Sequence, residues 1–507
     1  MVRGPPAGTS IFEKLEGGRE MFTWNRRAVV RGIAGAIGFG GAWTSALSQG
    51  TVSKRYGAHT SEGKAMLSIY VEAIKKMMDK SVIPETDPRS WMFQWYTHAV
   101  RPDRSKDAEI KKMYKATDPH RAVAQAMWNT CEAHFNSSRE NYFLPWHRLY
   151  LRFFEDVVRQ VSGKPEFTLP YWDYTSSAYR ALPEEFRKEG DAKWGPLFRT
   201  DRNAHANKGQ PIDDWMMAGD VSLDAMRSAV YGSTPSDAGF CANIDGTLHG
   251  NVHGNIGNSR GMGSVPWAAA DPIFWLHHCN IDRIWASWNR AGGKNPQDSK
   301  FLNETFTFAN ANAAAVKARV SEIVDGGGVE YDLYPERPEG SLAFPTGGPT
   351  PVAAATTLQS GAGTRLGAKA VRVKLRAGTG TGPSPVSAID FGAVPPTAAV
   401  LLRLERLTAA GEVPGSFDVH LAAGAALDPT RNADSFIGSF NFFGAAGHQG
   451  HHGSHGASGR TISFVLGSRQ RAALESLGTT TPDVLIVPKG NSGAGQATLG
   501  RAQLIIQ

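Results

Sequence analysis

Apolar residues recur at helical spacing through residues 51–335, and this pattern predicts a mainly α-helical domain. The segment that begins at Pro145 shows the clearest apolar stripe. The inward positions of this helix are His147, Leu151, Phe154 and Val158. Its charged positions are expected to face water: Arg148, Arg152, Glu155, Asp156 and Arg159. One histidine is therefore predicted to point into an apolar interior.

From residue 369 the pattern changes to short segments in which apolar and polar residues alternate. Val371, Val373 and Leu375 alternate with basic residues, and Gly/Pro-rich breaks separate the later runs. This period of two predicts a small antiparallel β-sandwich over residues 369–507. The Pro/Gly/Ala/Thr-rich residues 336–368 are predicted to be a linker.

Residues 1–50 are predicted to be a twin-arginine-type signal segment. Asn25-Arg26-Arg27 precedes a weakly apolar Gly/Ala-rich run from Gly32 to Leu47. The protein is therefore expected to be exported, to the periplasm or the medium. No later stretch is apolar enough for a bilayer span, so we expect no membrane association after export.

Composition narrows the function further. The 507 residues are 41% apolar and 20% charged, which excludes a largely disordered chain. The net charge of +7 is spread along the sequence without a basic block, so no nucleic-acid partner is expected. Three cysteines are too few for a disulfide scaffold or a zinc ribbon.

Two histidine-bearing segments stand out in the second half of the helical region. In a helix that begins at Pro272, His278 and Asp282 share a largely apolar face, so Asp282 is placed to anchor His278 or the nearby backbone. His249 and His253 are four residues apart, which puts both imidazoles on one side of a helix, within reach of one ion.

Three more histidines precede them: His98 on a helix that begins at Pro88, His134, and His147. Six imidazoles on inward helix faces can provide three ligands to each of two metal ions. Because no carboxylate or thiolate belongs to the set, the ligands suit copper, zinc, iron or nickel.

The segments FLPWHRLYLRFFE, HGNVH and DPIFWLHHCNIDRIW closely resemble the copper-binding segments of type-3 dicopper proteins: tyrosinases, catechol oxidases and molluscan haemocyanins. The resemblance covers roughly residues 85–335 and implies a four-helix bundle with two copper ions, CuA and CuB. It implies the CuA ligands His98, His134 and His147. It implies the CuB ligands His249, His253 and His278, with His277 and Asp282 supporting the ligands rather than binding copper. The tail is more loosely similar to the C-terminal β-domain of plant-type polyphenol oxidases.

The residues expected around the substrate are Val265, Gly250, Gly254, Phe274 and Asp245. Hydroxylating relatives tend to carry Asn directly after the first CuB histidine, where this chain has Gly250, and Asp245 is the nearest acid. The resemblance therefore implies oxidation of small o-diphenols to o-quinones with O2. The β-domain is expected to pack over the copper site.

Several alternatives stay open. They are a tyrosinase with monophenol hydroxylase activity, an o-aminophenol oxidase, an O2-binding protein of haemocyanin type and a di-zinc hydrolase. Oligomeric state is not predicted by the sequence.

Overall fold

The computed structural model describes residues 53–132, 138–345, 356–361, 363–377, 389–422, 433–445, 459–476, 478–490 and 497–507. The predicted signal segment and His134 lie outside these ranges. The helices are α1 (Ser61–Met78), α2 (Trp91–His98), α3 (Lys106–Met113), α4 (His120–Met127), α5 (Phe143–Ser162), α6 (Ala204–Asn207), α7 (Phe240–Ile244), α8 (Gly250–Ile256), α9 (Val265–Ala268), α10 (Ile273–Arg290), α11 (Ser299–Asn303) and α12 (Ser468–Glu475).

The strands are β1 (Ser53–Arg55), β2 (Thr305–Ala309), β3 (Ala315–Arg319), β4 (Val329–Tyr331), β5 (Thr356–Ser360), β6 (Thr364–Leu366), β7 (Val371–Ala377), β8 (Ile389–Asp390), β9 (Val400–Ala409), β10 (Ser416–Ala422), β11 (Phe436–Asn441), β12 (Arg460–Val465), β13 (Thr479–Thr480), β14 (Asp483–Pro488) and β15 (Ala497–Ile506). A helical region therefore precedes a β-rich region, as the sequence predicts.

Two predicted helix starts differ from the structure. Helix α2 begins after Ser90, whose hydroxyl accepts from the backbone N–H of Phe93 at 3.2 Å. Asp87, which precedes the predicted start at Pro88, accepts from the backbone and side chain of Arg89 in a local turn. Helix α5 begins at Phe143, two residues before Pro145, because proline is tolerated anywhere in a first turn.

The prediction that the charged side of α5 faces water is partly wrong, because Arg148 and Glu155 are buried. Glu155 pairs with Arg55 of β1 at 2.9 Å, and Arg148 pairs with Asp282 of α10 at 2.5 Å. Asp282 also accepts from Arg55 and from the hydroxyl of Tyr331. Buried charges are tolerated where each has a partner. This network connects β1 and β4, at the two ends of the helical region, to the inner helices α5 and α10.

Nine strands of the C-terminal region form one antiparallel path, β11-β10-β14-β7-β5-β15-β9-β12, with β6 added against β15. Side chains from both halves of the path fill one apolar cluster, as a sandwich requires. Members of this cluster include Val419 and Ile486 from one half and Leu402 and Leu504 from the other. Strands β5 and β6 lie inside the predicted linker, so the sheet begins at residue 356 rather than 369.

Strand β12 and its neighbours pack directly on α7 and the turn that follows it. The backbone N–H of Ser463 donates to Asn243 at 2.7 Å, and the Ser463 hydroxyl accepts from the backbone of Ala238 at 2.9 Å. Arg403 of β9 donates to the carbonyl of Thr234 at 2.9 Å. These contacts dock the β-domain against the histidine-bearing helices. In the part of the chain that the structure describes, every helix is too short or too polar to span a bilayer.

Candidate metal centre

Four helical segments bring the predicted histidines together. His98 ends α2, His147 lies in the second turn of α5, and His277 and His278 lie in the second turn of α10. Helices α7 and α8 are continuous through a π turn, Asp245–His249. A π turn inserts an extra residue into a helix, and such turns are frequent at functional sites.

The first cluster contains His249, His253, His277 and His278. One ligand atom from each lies within 4.8 Å of one atom from every other member, and all four side chains are buried. The second cluster contains His98, Cys131 and His147 under the same distance limit. The His147 and His278 rings are stacked with centroids 4.3 Å apart, so the two clusters adjoin.

The Nδ1 contacts orient the rings. His98 faces the carbonyl of Val265 at 3.1 Å, His147 that of Phe143 at 2.8 Å and His253 that of Met262 at 2.7 Å. A carbonyl only accepts, so Nδ1 carries the proton and Nε2 keeps its lone pair for a metal. Within the described residues, Nε2 of His253 has no hydrogen-bond partner. Such an orphaned, buried lone pair fits a metal ligand.

The environment keeps these imidazoles neutral. Burial, and then the neighbouring imidazoles, hold the pKa values of His253, His277 and His278 well below the usual range. Metals bind the neutral form of histidine, and a cluster of buried neutral imidazoles suits borderline ions such as copper. The residues present therefore fit the two copper ions that the sequence implies.

His277 and His278 differ in their contacts. Nδ1 of His277 lies 2.9 Å from the hydroxyl of Tyr174, whereas neither ring nitrogen of His278 has a hydrogen-bond partner among the described residues. Both rings lie in the first cluster, and geometry alone leaves either one within reach of an ion there. Asp282, expected to anchor His278, instead directs its carboxylate to Arg55, Arg148 and Tyr331.

The predicted substrate residues divide into two groups. Gly250, Gly254 and Val265 line a cavity of about 480 Å³ between the helical region and the β-domain. Phe274 lies deeper, with its ring centroid 4.2 Å from that of His278 and 5.0 Å from that of His98. Asp245 faces Nδ1 of His249 at 3.0 Å and does not line the cavity.

Phe443, in the loop after β11, separates this cavity from the first cluster. Its ring stacks on His253, with centroids 4.1 Å apart and planes inclined by 12°, and meets His249 edge-on at 5.6 Å. It is only 8% exposed and packs with the core of the helical region. A residue of the β-domain therefore covers one face of the histidine cluster.

Asn441 holds the loop that carries Phe443. Its amide donates to Asn251 at 2.8 Å and to the carbonyl of Thr247 at 3.2 Å, while its own oxygen accepts from the backbone of Phe443. A Cβ at Gly250 would overlap this amide. Gly250 is therefore needed for the β-domain to approach α8.

The sequence predicts no role for Phe443, Asn441 and Arg460, which lie about two hundred residues from the helices they contact. No local pattern marks them, because their role depends on how the β-domain docks. The free thiol of Cys131 is buried, and its sulfur lies 3.7 Å from Nε2 of His147.

Residues 88–215 and 188–291 match the family model described as "Tyrosinase: Common central domain of tyrosinase". Tyrosinase HcTyr1 of Hahella sp. is 30% identical over 56% of this chain and 62% of its own length. The chloroplastic polyphenol oxidase of Malus domestica is 28% identical over 52% of this chain and 45% of its own length. The chain thus spans less than two thirds of these relatives.

Two solved structures share the fold of both regions. A latent aurone synthase (polyphenol oxidase) aligns with a TM-score of 0.60 at 19% identity, over 90% of each chain. Latent apple tyrosinase aligns with a TM-score of 0.57 at 21% identity, over 90% of this chain and 98% of its own. Residues 88–291 are therefore similar to the central domain of tyrosinases, and the adjoining imidazole clusters fit the two copper ions that this family binds.

Proposed function

We propose that this protein oxidises o-diphenols to o-quinones with O2, using two copper ions. The observation that carries the proposal is the pair of adjoining buried imidazole clusters, which His147 and His278 join. The proposed ligands are His98, His134 and His147 for CuA, and His249, His253 and His278 for CuB. Copper in such a site supplies the electron transfer between the phenol and O2.

The protein's own residues provide binding and orientation. The stacked position of Phe443 on His253 marks a slot that accepts a flat aromatic ring. Val265 and the two glycines of α8 leave this approach wide enough for a small phenol. Tyr174 fixes the ring of His277, which supports the ligand His278 next to it.

The site favours diphenols over monophenols. A monophenol must lose a proton from a hydroxyl with an ordinary pKa of about 10 before it can be hydroxylated. The groups that could polarise a water for this step are engaged within the helical region: Asp245 faces Nδ1 of His249, and Asn251 donates to the carbonyl of Asp220. A diphenol needs no such hydroxylation.

The full chain is proposed to be a latent form, because Phe443 fills the aromatic slot and the β-domain covers the cavity. The proposal includes export through the twin-arginine segment at residues 1–50 and a small phenol and O2 as the reactants.

Oxygen uptake by copper-loaded protein tests the function directly. Catechol, tyrosol and 2-aminophenol are compared side by side, before and after removal of the β-domain. Fast uptake with catechol and slow uptake with tyrosol supports the proposal. Equal rates with tyrosol and without a lag make the protein a monophenol hydroxylase, and O2 binding without turnover makes it an oxygen carrier. Zinc loading should give no uptake.

A further inference from the structure

Arg460, the first residue of β12, reaches the carboxylate behind one proposed copper ligand. Its Nη2 donates to Oδ2 of Asp245 at 3.0 Å, while Oδ1 of the same carboxylate faces Nδ1 of His249 at 3.0 Å. All three side chains are buried, with 5%, 4% and 0% of their surfaces exposed. They form one continuous chain from the β-domain to the metal centre.

The approach of β12 is built into the sequence of the π turn. A Cβ at Gly246 would lie 2.5 Å from Cγ2 of Ile462 and 2.9 Å from Cδ of Arg460. Real Cβ atoms do not come this close to their neighbours, so only glycine at this position lets the strand bring its arginine against Asp245.

His249 differs from its neighbours in this contact. His98, His147 and His253 direct Nδ1 toward backbone carbonyls. Nδ1 of His249 also lies 3.4 Å from the carbonyl of Asp245, but its nearer partner is the carboxylate of that residue at 3.0 Å. A carboxylate behind a ligating imidazole fixes the ring and makes it a stronger donor. A buried carboxylate is costly without a partner, and the guanidinium of Arg460 provides both the opposite charge and the hydrogen bond that sets its orientation.

We propose that Arg460 is a positioning residue for the copper ligand His249, acting through Asp245, so that the β-domain supports the metal centre as well as covering it. The inference rests on the proposed assignment of His249 to copper. One consequence is that removal of the β-domain has two opposing effects. It uncovers the aromatic slot, and it weakens the hold of the site on one of its two copper ions.

Copper retention in the full-length protein tests the inference. Copper-loaded Arg460→Gln is titrated with a chelator while bound copper and the O2-dependent near-ultraviolet absorption are measured. We expect one of the two ions to leave at a chelator concentration about 10–100-fold lower than in the wild type, the usual effect of losing support behind a ligand. Arg460→Lys, which keeps the charge, should recover at least half of the lost retention.

Arg403→Gln is the matched control. It removes a buried arginine of the same interface, which donates to the carbonyl of Thr234 and to the carboxylate of Glu405 rather than to the metal centre. It should retain both ions as the wild type does. Gly246→Ala should reproduce the Arg460→Gln defect without changing any charge, because it forces β12 away from the π turn.

A further comparison separates loss of support from undocking of the β-domain. Phe443→Ala and Phe443→Ala/Arg460→Gln both lack the ring over the site. If Arg460 acts through His249, the double variant should retain copper more weakly than Phe443→Ala. If Arg460→Gln retains copper like the wild type, or the two Phe443 variants release it alike, the inference is overturned. A wild-type protein that fails to bind two copper ions contradicts the proposed function instead.

Discussion

Replacing Phe443 by alanine removes the ring that stacks on His253 and should convert the latent protein into an active one. In the intact chain, an aromatic substrate reaches the slot only after this ring leaves it. The ring is 8% exposed, and moving a nearly buried Phe side chain into water costs about 1.5–3 kcal/mol. A free-energy difference of 1.4 kcal/mol changes an equilibrium constant about tenfold. The Phe443 ring should therefore lower the apparent affinity for substrate about 10- to 150-fold.

The assay is steady-state oxidation of catechol by the copper-loaded full-length protein. Phe443→Ala should raise kcat/KM by about 10- to 150-fold, mainly through a lower KM, while copper content stays at two ions per chain. Phe443→Leu, which keeps an apolar side chain in the slot, should give a smaller increase.

Phe440→Ala is the control for loss of packing alone. Phe440 is buried in the β-domain. Its ring stacks on that of Phe417, with centroids 5.4 Å apart, and meets that of Phe442 edge-on at 5.7 Å. Removing the Phe440 ring should destabilise the β-domain about as much as Phe443→Ala does. The Phe443 ring stays over His253, so kcat/KM should change little. If Phe443→Ala leaves kcat/KM within twofold of the wild type at full copper content, or Phe440→Ala activates equally, the Phe443 ring does not block substrate binding.

Further predictions concern the ligands, the docking glycine and pH. His278→Ala should abolish catechol turnover and lower copper toward one ion per chain, whereas His277→Ala should keep both ions and lose about 10–100-fold in turnover; the opposite pattern would exchange their roles. Gly250→Ala should raise kcat/KM and lower the melting temperature, because the added Cβ overlaps the docked β-domain, while Gly254→Ala, whose Cβ meets nothing within 4 Å, should leave the melting temperature unchanged. Burial raises the pKa of Glu140 from 4.5 to about 7, so the folded protein binds a proton that the unfolded chain releases, and stability falls as pH rises across this window. The melting temperature of Glu140→Gln relative to the wild type should therefore be higher at pH 8 than at pH 5, and a difference independent of pH would contradict this.

Local periodicity was enough to predict the helices that carry the histidines and strands such as β7, whereas β5 and β6 fell inside the predicted linker. The stripe that ends at Val158 places His147 inward because a helix repeats every 3.6 residues whatever surrounds it. The same reasoning put Arg148 and Glu155 in water, because their partners lie 134 and 100 residues away and no local pattern shows them.

The histidine clusters were predicted better than their surroundings. Imidazoles on successive inward faces must meet in a bundle, but the residues that complete the site come from the β-domain. In the sequence, Phe443 resembles any buried core residue. Gly250 shows only that the Asn of hydroxylating relatives is missing at this position. Only the folded structure shows that the first stacks on His253 and that the second makes room for Asn441.

Crystals of the copper-loaded full-length protein, measured with anomalous scattering at the copper edge, test the central claim most directly. We expect two copper peaks, one beside His98 and His147 and the other beside His249, His253 and His278, with the Phe443 ring over the second. A single peak, or copper bound away from these imidazoles, would contradict it.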